Sequence, residues 1–124
     1  MLARDRILVV DDNESVRNIL AEALENQGFR VSTAVDGQRA WELVRQTPFS
    51  YDLVLTDMRM PAMDGLALLS KIMMESPWIK VIVMTGARDP DLQVKAELLG
   101  AFTVLVKPFQ VEQVHQILRR ALAT

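Results

Sequence analysis

The sequence predicts an α/β fold: a single doubly wound (βα)5 domain in which helices cover both faces of a parallel five-stranded sheet. Two observations predict it. Five short apolar runs alternate along the chain with five stretches whose apolar residues recur at helical spacing. The first and third runs are also continuously apolar or β-branched, as in strands that are buried on both faces of a parallel sheet. Right-handed crossovers must reverse direction once to cover both faces, and that reversal makes a crevice at the carboxyl ends of the strands.

The first half of the chain predicts three strands, at residues 6–10, 29–34 and 53–57, and two helices between them. Gly28 stands where the C-cap of the first helix would be. The pair Asp36-Gly37 forms the turn and cap before the second helix, and residues 46–52 form a loop after it. Trp41, on the flank of the second helix, is expected to pack against the core. The apolar stripes of these helices are Val16, Ile19, Leu20, Ala23 and Leu24, and then Ala40, Leu43 and Val44.

The second half predicts two further strands, at residues 80–84 and 102–106, and three helices. Asp64 is the expected cap of the third helix, which ends at Ser76-Pro77. Residues 89–91 open the fourth helix, and Gly100 stops it. The stripes of these helices are Leu66, Leu69 and Met73; Leu92, Ala96 and Leu99; and Val111, Val114, Leu118, Ala121 and Leu122.

Composition narrows the class of protein. A chain of 124 residues matches the size of one domain, which we place at residues 1–124, and its hydrophobic content of 50% excludes a disordered segment. The net charge of −2 gives no general attraction to nucleic acid or to anionic membranes. Without cysteine there is no disulfide and no Cys-ligated zinc. No apolar run reaches membrane-spanning length and no signal-peptide pattern is present, so we expect a cytoplasmic protein.

Polar side chains follow four of the five predicted strands at their carboxyl ends, and only the second strand contributes none. They are Asp11 and Asp12 after the first strand, Asp57 at the third, Thr85 at the fourth and Lys107 at the fifth. Helix capping explains one acidic residue after the first strand, since a carboxylate there suits the helix dipole, but not two. Because these ends meet at one edge of the sheet, the sequence predicts a site there.

Three carboxylates in one crevice repel each other. For one pair roughly 4 Å apart, the repulsion is about 4 kcal/mol at an effective dielectric near 20. Either some of them are protonated or a cation lies among them, and an all-oxygen donor set with waters suits Mg²⁺. Mg²⁺, Lys107 and the hydroxyl of Thr85 would together cradle a phosphoryl group. Asp57, on the central strand, is the best placed nucleophile and would form an aspartyl phosphate.

At these residues the sequence resembles the receiver domain of two-component response regulators, from Arg6 to about Leu122. Each matching motif is weak alone, but their order and spacing together are specific. The motifs are Leu8-Val9-Val10-Asp11-Asp12; residues 52–57 with Met60-Pro61 and Met63-Asp64-Gly65; residues 81–84 with Thr85-Gly86; and Gly100-Ala101 followed by Lys107-Pro108-Phe109.

The resemblance implies a flavodoxin-like sheet with strand order 2-1-3-4-5 and a regulatory phosphoacceptor rather than a turnover enzyme. Asp57 would accept phosphate from a phosphohistidine on a sensor histidine kinase or phosphotransfer protein. Asp12, Asp57 and the backbone carbonyl of Arg59 would hold Mg²⁺, with Asp11 assisting through water. Lys107 would pair with the phosphoryl oxygens, and Thr85 would turn inward to meet them. The peptide bond between Lys107 and Pro108 would be cis.

The resemblance has one departure, because Val104 stands where the family usually has an aromatic residue that reports phosphorylation. On the fourth helix Val94 and Leu98 are expected to face solvent, opposite the inner stripe. With Val104 they are candidates for a phosphorylation-dependent contact with a second copy of the chain or an output partner. The only histidine, His115, is interpreted as a boundary side chain of the last helix.

Three other readings remain open. A phosphatase of the haloacid dehalogenase type would have a second Asp two residues after Asp57, where this chain has Arg59. A flavodoxin-like cofactor binder would need a phosphate loop after the first strand, where residues 11–14 would repel phosphate. A pseudo-receiver that serves only as an interaction module would typically lose part of the site, which is intact here. The sequence names neither the cognate kinase nor the output. The chain is either a stand-alone regulator or the N-terminal domain of a longer one, and we expect the second.

Overall fold

The computed structural model of the protein describes residues 5–86 and 89–123, along which strands and helices alternate. The strands are β1 Arg6–Val10, β2 Arg30–Ala34, β3 Leu53–Asp57, β4 Lys80–Thr85 and β5 Thr103–Val106. The helices are α1 Glu14–Asn26, α2 Gly37–Gln46, α3 Gly65–Glu75, α4 Pro90–Leu98 and α5 Val111–Leu122. The predicted α/β class is therefore confirmed, with element ends displaced by a residue or two. In the described part of the chain, no helix is long and apolar enough to cross a membrane.

All strands pair in parallel, in the order β2-β1-β3-β4-β5. The order that the resemblance implies is thus confirmed. The chain moves from β1 outward to β2 and then crosses back to β3, so the winding reverses between β1 and β3. Their register places Val10 opposite Thr56, and Asp57 lies opposite Met84 of β4. The carboxyl ends of these three strands consequently open into one crevice.

Alternate residues of each central strand enter two separate hydrophobic cores. Leu8 and Val10 enter the core beneath α2, α3 and α4, whereas Ile7 and Val9 enter the core beneath α1 and α5. All four side chains are fully buried, and complete burial of one such side chain contributes about 1.5–3 kcal/mol. A slip of one residue would send every side chain of a strand into the opposite core, so packing fixes the register that aligns the strand ends.

Short polar side chains determine where the helices begin. Asn13, Asp36, Asp64 and Asp89 each accept a hydrogen bond from a backbone N–H in the first turn of α1, α2, α3 and α4, respectively. The caps predicted at Asp36 and Asp64 are confirmed. At the other end of α1, Gly28 has a φ of 98°, a left-handed conformation that glycine adopts without strain.

Several predicted helix stripes were wrong in part. Ile19, Leu99 and Val111 were assigned inward positions, but they are exposed by 61%, 36% and 40%, respectively. Ile19 and Val111 line an open groove instead of entering a core. Leu99 follows the last residue of α4, a short helix whose one fully buried residue in the described part is Ala96. On α3 the fully buried residues include Leu68 and Ile72, which the predicted stripe omitted, and the predicted Leu66 and Met73 are only partly buried.

Candidate functional site

The crevice at the carboxyl ends of the strands gathers four of the side chains predicted from the sequence. Asp11 and Asp12 directly follow β1, Asp57 is the last residue of β3, and Lys107 directly follows β5. One carboxylate oxygen from each of the three aspartates lies within 4.8 Å of the others. The environments differ, because Asp11 is fully buried, Asp57 is partly buried and Asp12 is exposed. The carboxylate cluster therefore opens to solvent on the side of Asp12.

Lys107 joins two of these carboxylates. Its Nζ lies 3.1 Å from Oδ2 of Asp11 and 3.1 Å from Oδ1 of Asp57. One ammonium thus meets the two more buried carboxylates, and the described cluster of three aspartates and one lysine has a formal charge of −2 when all four are ionised. The remaining negative charge is what a divalent cation would neutralise.

The pKa shifts of Asp57 and Lys107 agree with this excess of negative charge in the cluster. Burial raises the pKa of Asp57 above its ordinary value, and the charge of Asp11 raises it further, although the hydrogen bond from Lys107 partly opposes the shift. Burial by itself lowers the pKa of Lys107, but hydrogen bonds to Asp11 and Asp57 outweigh burial and raise it. Lys107 is therefore a firmly charged cation, while the ionised form of Asp57 is not fully compensated. An added cation would correct that deficit.

Every polar group of Asp11 makes a hydrogen bond within the protein. Its backbone N–H donates to the carbonyl of Ala34, and its carbonyl accepts from Nη1 of Arg17 at 2.9 Å. Its Oδ1 accepts from the backbone N–H of Asn13 at 2.9 Å, and its Oδ2 accepts from Lys107. The carboxylate of Asp11 is thus occupied by protein donors, which agrees with an indirect role beside an ion. Sequence reasoning missed Arg17 and Asn13 as supports of the site.

Thr85 and Arg59 were also predicted at the site. Thr85 ends β4 and is buried, and its carbonyl accepts from the backbone N–H of Lys107 at 2.7 Å. This bond ties the ends of β4 and β5 together. Arg59 is exposed and follows Asp57 by two residues in a loop that the neighbouring Met58 anchors. The N–H of Met58 donates to Met84, and its carbonyl accepts from Gly65, both at 2.8 Å.

Gly65 allows this loop to close directly against Asp57. A Cβ atom on Gly65 would lie only 2.4 Å from the carbonyl oxygen of Asp57. Real Cβ atoms do not come so close to another heavy atom. The first turn of α3 therefore packs on the backbone at the carboxyl end of β3. Any larger residue at position 65 would displace Asp57 or the helix.

An apolar groove of about 470 Å³ lies beside Lys107, between α1 and the segment that leads into α5. Exposed Ile19 and Val111 lie on it, together with Pro108 and Phe109. The Lys107–Pro108 peptide bond is cis, as the resemblance implies. The groove offers an apolar surface directly next to the charged cluster.

The donor set of the crevice fits a hard divalent cation. The three gathered aspartates offer only oxygen ligands, which suit Mg²⁺ or Ca²⁺ rather than a soft metal. The exposed position of Asp12 leaves that side open to water, which Mg²⁺ normally retains in protein sites. A carboxylate at a strand end, a fixed ammonium and a cation site together form a place where a phosphoryl group could be held next to a nucleophile.

Comparison with known proteins agrees with this geometry. The family model of the response regulator receiver domain matches residues 7–119. The DNA-binding transcriptional regulator NtrC of Escherichia coli K12 is 40% identical over 123 residues, which cover 98% of this chain and 26% of that protein. Sporulation initiation phosphotransferase F of Bacillus subtilis is 32% identical and is matched over 96% of its length, against 98% of this chain. The chain thus spans about a quarter of the length of NtrC.

Solved structures show the same similarity. The CheX–CheY–BeF3–Mg²⁺ complex from Borrelia burgdorferi contains a chain that matches with a TM-score of 0.92 and 29% identity, over 97% of this chain and 90% of that one. A receiver domain protein from Clostridium thermocellum matches with a TM-score of 0.91 and 31% identity, over 96% and 94% of the two chains. The fold therefore has counterparts in solved structures.

Proposed function

Since the chain belongs to the family of response regulator receiver domains, we propose that Asp57 is the residue that accepts the phosphoryl group. A receiver domain is a regulatory phosphoacceptor and not a turnover enzyme. The observation that carries the choice of Asp57 is the position of Lys107, whose Nζ lies 3.1 Å from both Asp57 and Asp11. Asp57 is the member of that pair that ends the central strand and is open to solvent in part.

The transfer itself needs little from the protein beyond placement and charge. A carboxylate oxygen of Asp57 attacks phosphorus, the bond from phosphorus to the imidazole nitrogen of the donor breaks, and the imidazole leaves. The ammonium of Lys107 then moves from the carboxylate of Asp57 to a phosphoryl oxygen, while Lys107 keeps its ion pair with Asp11. The hydroxyl of Thr85, at the end of β4, donates a hydrogen bond to another phosphoryl oxygen.

Mg²⁺ is the proposed cofactor. Asp12, Asp57 and the backbone carbonyl of Arg59 would hold it directly, and Asp11 through water, because protein donors already occupy both carboxylate oxygens of Asp11. When bound, the ion neutralises the negative charge that the phosphoryl group brings to the crevice. The gathered carboxylates and the raised pKa of Asp57 support this assignment.

A receiver domain implies a kinase or phosphotransfer protein as its partner, and we propose a sensor histidine kinase or phosphotransfer protein that carries phosphohistidine. The partner's segment that carries the phosphohistidine would reach Asp57 across the apolar groove beside Lys107, where Ile19 is 61% exposed. The solved CheX–CheY complex is an example of a similar protein bound to a protein partner.

The output surface is proposed on α4 and β5. Val94 and Leu98 of α4 are exposed by 55% and 82%, as predicted, and Val104 of β5 is partly buried. Phosphorylation replaces the single negative charge of ionised Asp57 with a phosphoryl group that carries close to two, and it would draw Thr85 inward, which biases the packing of the adjoining α4. We propose that this surface then binds a second copy of the chain or an output partner.

We further propose that residues 1–124 form one receiver domain that works in the cytoplasm and does not contact nucleic acid directly. The net charge of −2 supports the last point. The longer relatives, such as NtrC, of which the chain covers 26%, support a place as one domain of a larger regulator.

Mass spectrometry tests the phosphoacceptor directly. Wild-type protein incubated with Mg²⁺ and acetyl phosphate should gain the mass of one phosphoryl group, whereas Asp57→Asn should gain none. The same adduct in both proteins would place the phosphoacceptor elsewhere, and no adduct in wild type would favour a pseudo-receiver.

Two matched substitutions separate the two proposed surfaces. Ile19→Asp should slow transfer from a phosphorylated histidine kinase that serves the wild type, but not phosphorylation by acetyl phosphate. Val94→Asp, at a similarly exposed position on α4, should leave both reactions unchanged and weaken phosphorylation-dependent association measured by light scattering. Equal kinase rates for Ile19→Asp and wild type would remove the groove from the proposal.

A further inference from the structure

We propose that Arg17 is a positioning residue for the metal site and that it acts by holding the peptide between Asp11 and Asp12. The inference rests on the proposed Mg²⁺ site. It concerns how the exposed Asp12 carboxylate is kept in place, because an exposed side chain is not held there by packing.

Arg17 lies one turn into α1 and is half-buried. Side chains of a helix point back towards its N-terminus, so the guanidinium of Arg17 returns over the segment that leads into α1. Its Nη1 donates to the carbonyl oxygen of Asp11 at 2.9 Å. A backbone carbonyl that accepts from a guanidinium is held by a charge-assisted hydrogen bond, which is stronger than an ordinary one.

The carbonyl of Asp11 and the N–H of Asp12 belong to one planar peptide unit. Holding that carbonyl therefore sets the plane from which the Asp12 side chain projects. The peptide unit has an anchor on each side, because the N–H of Asp11 donates to Ala34 and the N–H of Asn13 donates to Oδ1 of Asp11. Of these three hydrogen bonds, only the one from Arg17 is made to the Asp11–Asp12 peptide itself.

A role in positioning and a role as a charge predict opposite results. As a mere positive charge near the crevice, Arg17 would repel Mg²⁺, so its removal would strengthen metal binding. As a support of the Asp12 peptide, its removal would weaken metal binding, since residues that orient metal ligands typically contribute 10–100-fold to affinity. The sign of the change in affinity therefore distinguishes the two roles.

The test is isothermal titration of Mg²⁺ into the phosphate-free protein, with no phosphorylation step. We expect Arg17→Ala to bind Mg²⁺ about tenfold more weakly than wild type, and Arg17→Lys, which keeps a charged donor, to recover part of that loss. Arg39→Ala is the control, because Arg39 is an exposed helix arginine whose guanidinium pairs with Glu42. Its affinity should equal that of wild type.

Circular dichroism at the titration temperature establishes that each variant is folded, and Arg17→Met, which has a long side chain without a donor, takes the place of Arg17→Ala should the latter not fold. Equal or tighter Mg²⁺ binding by Arg17→Ala, or by Arg17→Met in its place, would overturn the positioning role. Absence of Mg²⁺ binding by wild type would instead contradict the proposed metal site, and the inference would fall with it.

Discussion

Replacement of Lys107 by Met should destabilise the metal-free protein through charge alone. Each ion pair of the Lys107 ammonium, at 3.1 Å, amounts to about 5 kcal/mol of attraction at an effective dielectric near 20. Two carboxylates at the 4.8 Å limit of the cluster repel by about 3.5 kcal/mol on the same scale. Desolvation offsets much of the attraction, and removal of one partner from a buried pair typically costs 3–5 kcal/mol. Because the Lys107 side chain is 26% exposed, we expect a loss of about 2–3 kcal/mol.

The loss should depend on pH with a definite sign. The raised pKa of Lys107 means that its contribution is fully present below the ordinary lysine value of 10.5 and is lost as pH rises through the raised value. At the acid end the part contributed by Asp57 is lost as that carboxylate is protonated, which happens at higher pH than usual because its pKa is raised. The difference between wild type and Lys107→Met should therefore be larger at neutral pH than at about pH 4.

Urea denaturation in the presence of a chelator measures this difference, with Lys95→Met, on exposed α4, as the control. Lys95→Met should change the free energy of unfolding by no more than about 0.5 kcal/mol. Saturating Mg²⁺ should restore most of the stability of Lys107→Met, because the metal supplies the missing positive charge. A loss of the same size at neutral pH and at about pH 4, or one that Mg²⁺ does not reduce, would refute the electrostatic reasoning.

Three further substitutions test other parts of the site. Asp12→Ala should weaken Mg²⁺ binding at least about tenfold by calorimetry, and unchanged affinity would remove Asp12 from the ligand set. Asp57→Asn should raise the midpoint of thermal unfolding at neutral pH in a chelator, because burial makes ionised Asp57 costly, and the gain should vanish as pH falls to the ordinary value of 3.8. A midpoint below that of wild type at neutral pH would contradict this sign. Gly65→Ala should cost at least about 1–3 kcal/mol in urea denaturation and impair phosphorylation, whereas Gly86→Ala, whose Cβ would meet no atom within 4 Å, should be far milder. Equal losses in the two glycine variants would rule out the close approach to Asp57 as the cause.

The strands and the convergence of charged residues could be predicted because both follow from short-range patterns. Continuous apolar runs mark buried parallel strands, and parallel strands necessarily bring their carboxyl ends to one edge. Asp11, Asp12, Asp57 and Lys107 therefore needed no long-range information to be grouped. The strand order came from the resemblance, since alternation of strands and helices alone does not specify which strand neighbours which.

The helix faces were predicted less well because helical spacing shows which residues share a face, not how much of that face a neighbour covers. Ile19 and Val111 share a face with core residues, yet they border an open groove. On α3 most positions are apolar, so periodicity could not separate the buried Leu68 and Ile72 from the partly buried Leu66.

The residues that support the site also cannot be identified from the composition of the chain. Arg17 resembles any basic residue on a helix surface, and only the direction of helix side chains towards the N-terminus hints that it returns to Asp11. Gly65 resembles a turn residue, and only the structure shows that it lies against the carbonyl of Asp57.

Chemical trapping of the acyl phosphate tests the central assignment most directly. Borohydride reduces an aspartyl phosphate to homoserine, so protein treated with acetyl phosphate and Mg²⁺, then reduced and digested, should contain homoserine at position 57 in its peptide spectrum. Asp11 and Asp12 should remain unmodified in the same sample, and a chelator should abolish the homoserine at position 57. Homoserine at Asp11 or Asp12, or equal trapping at Asp57 with and without the chelator, would contradict the central assignment.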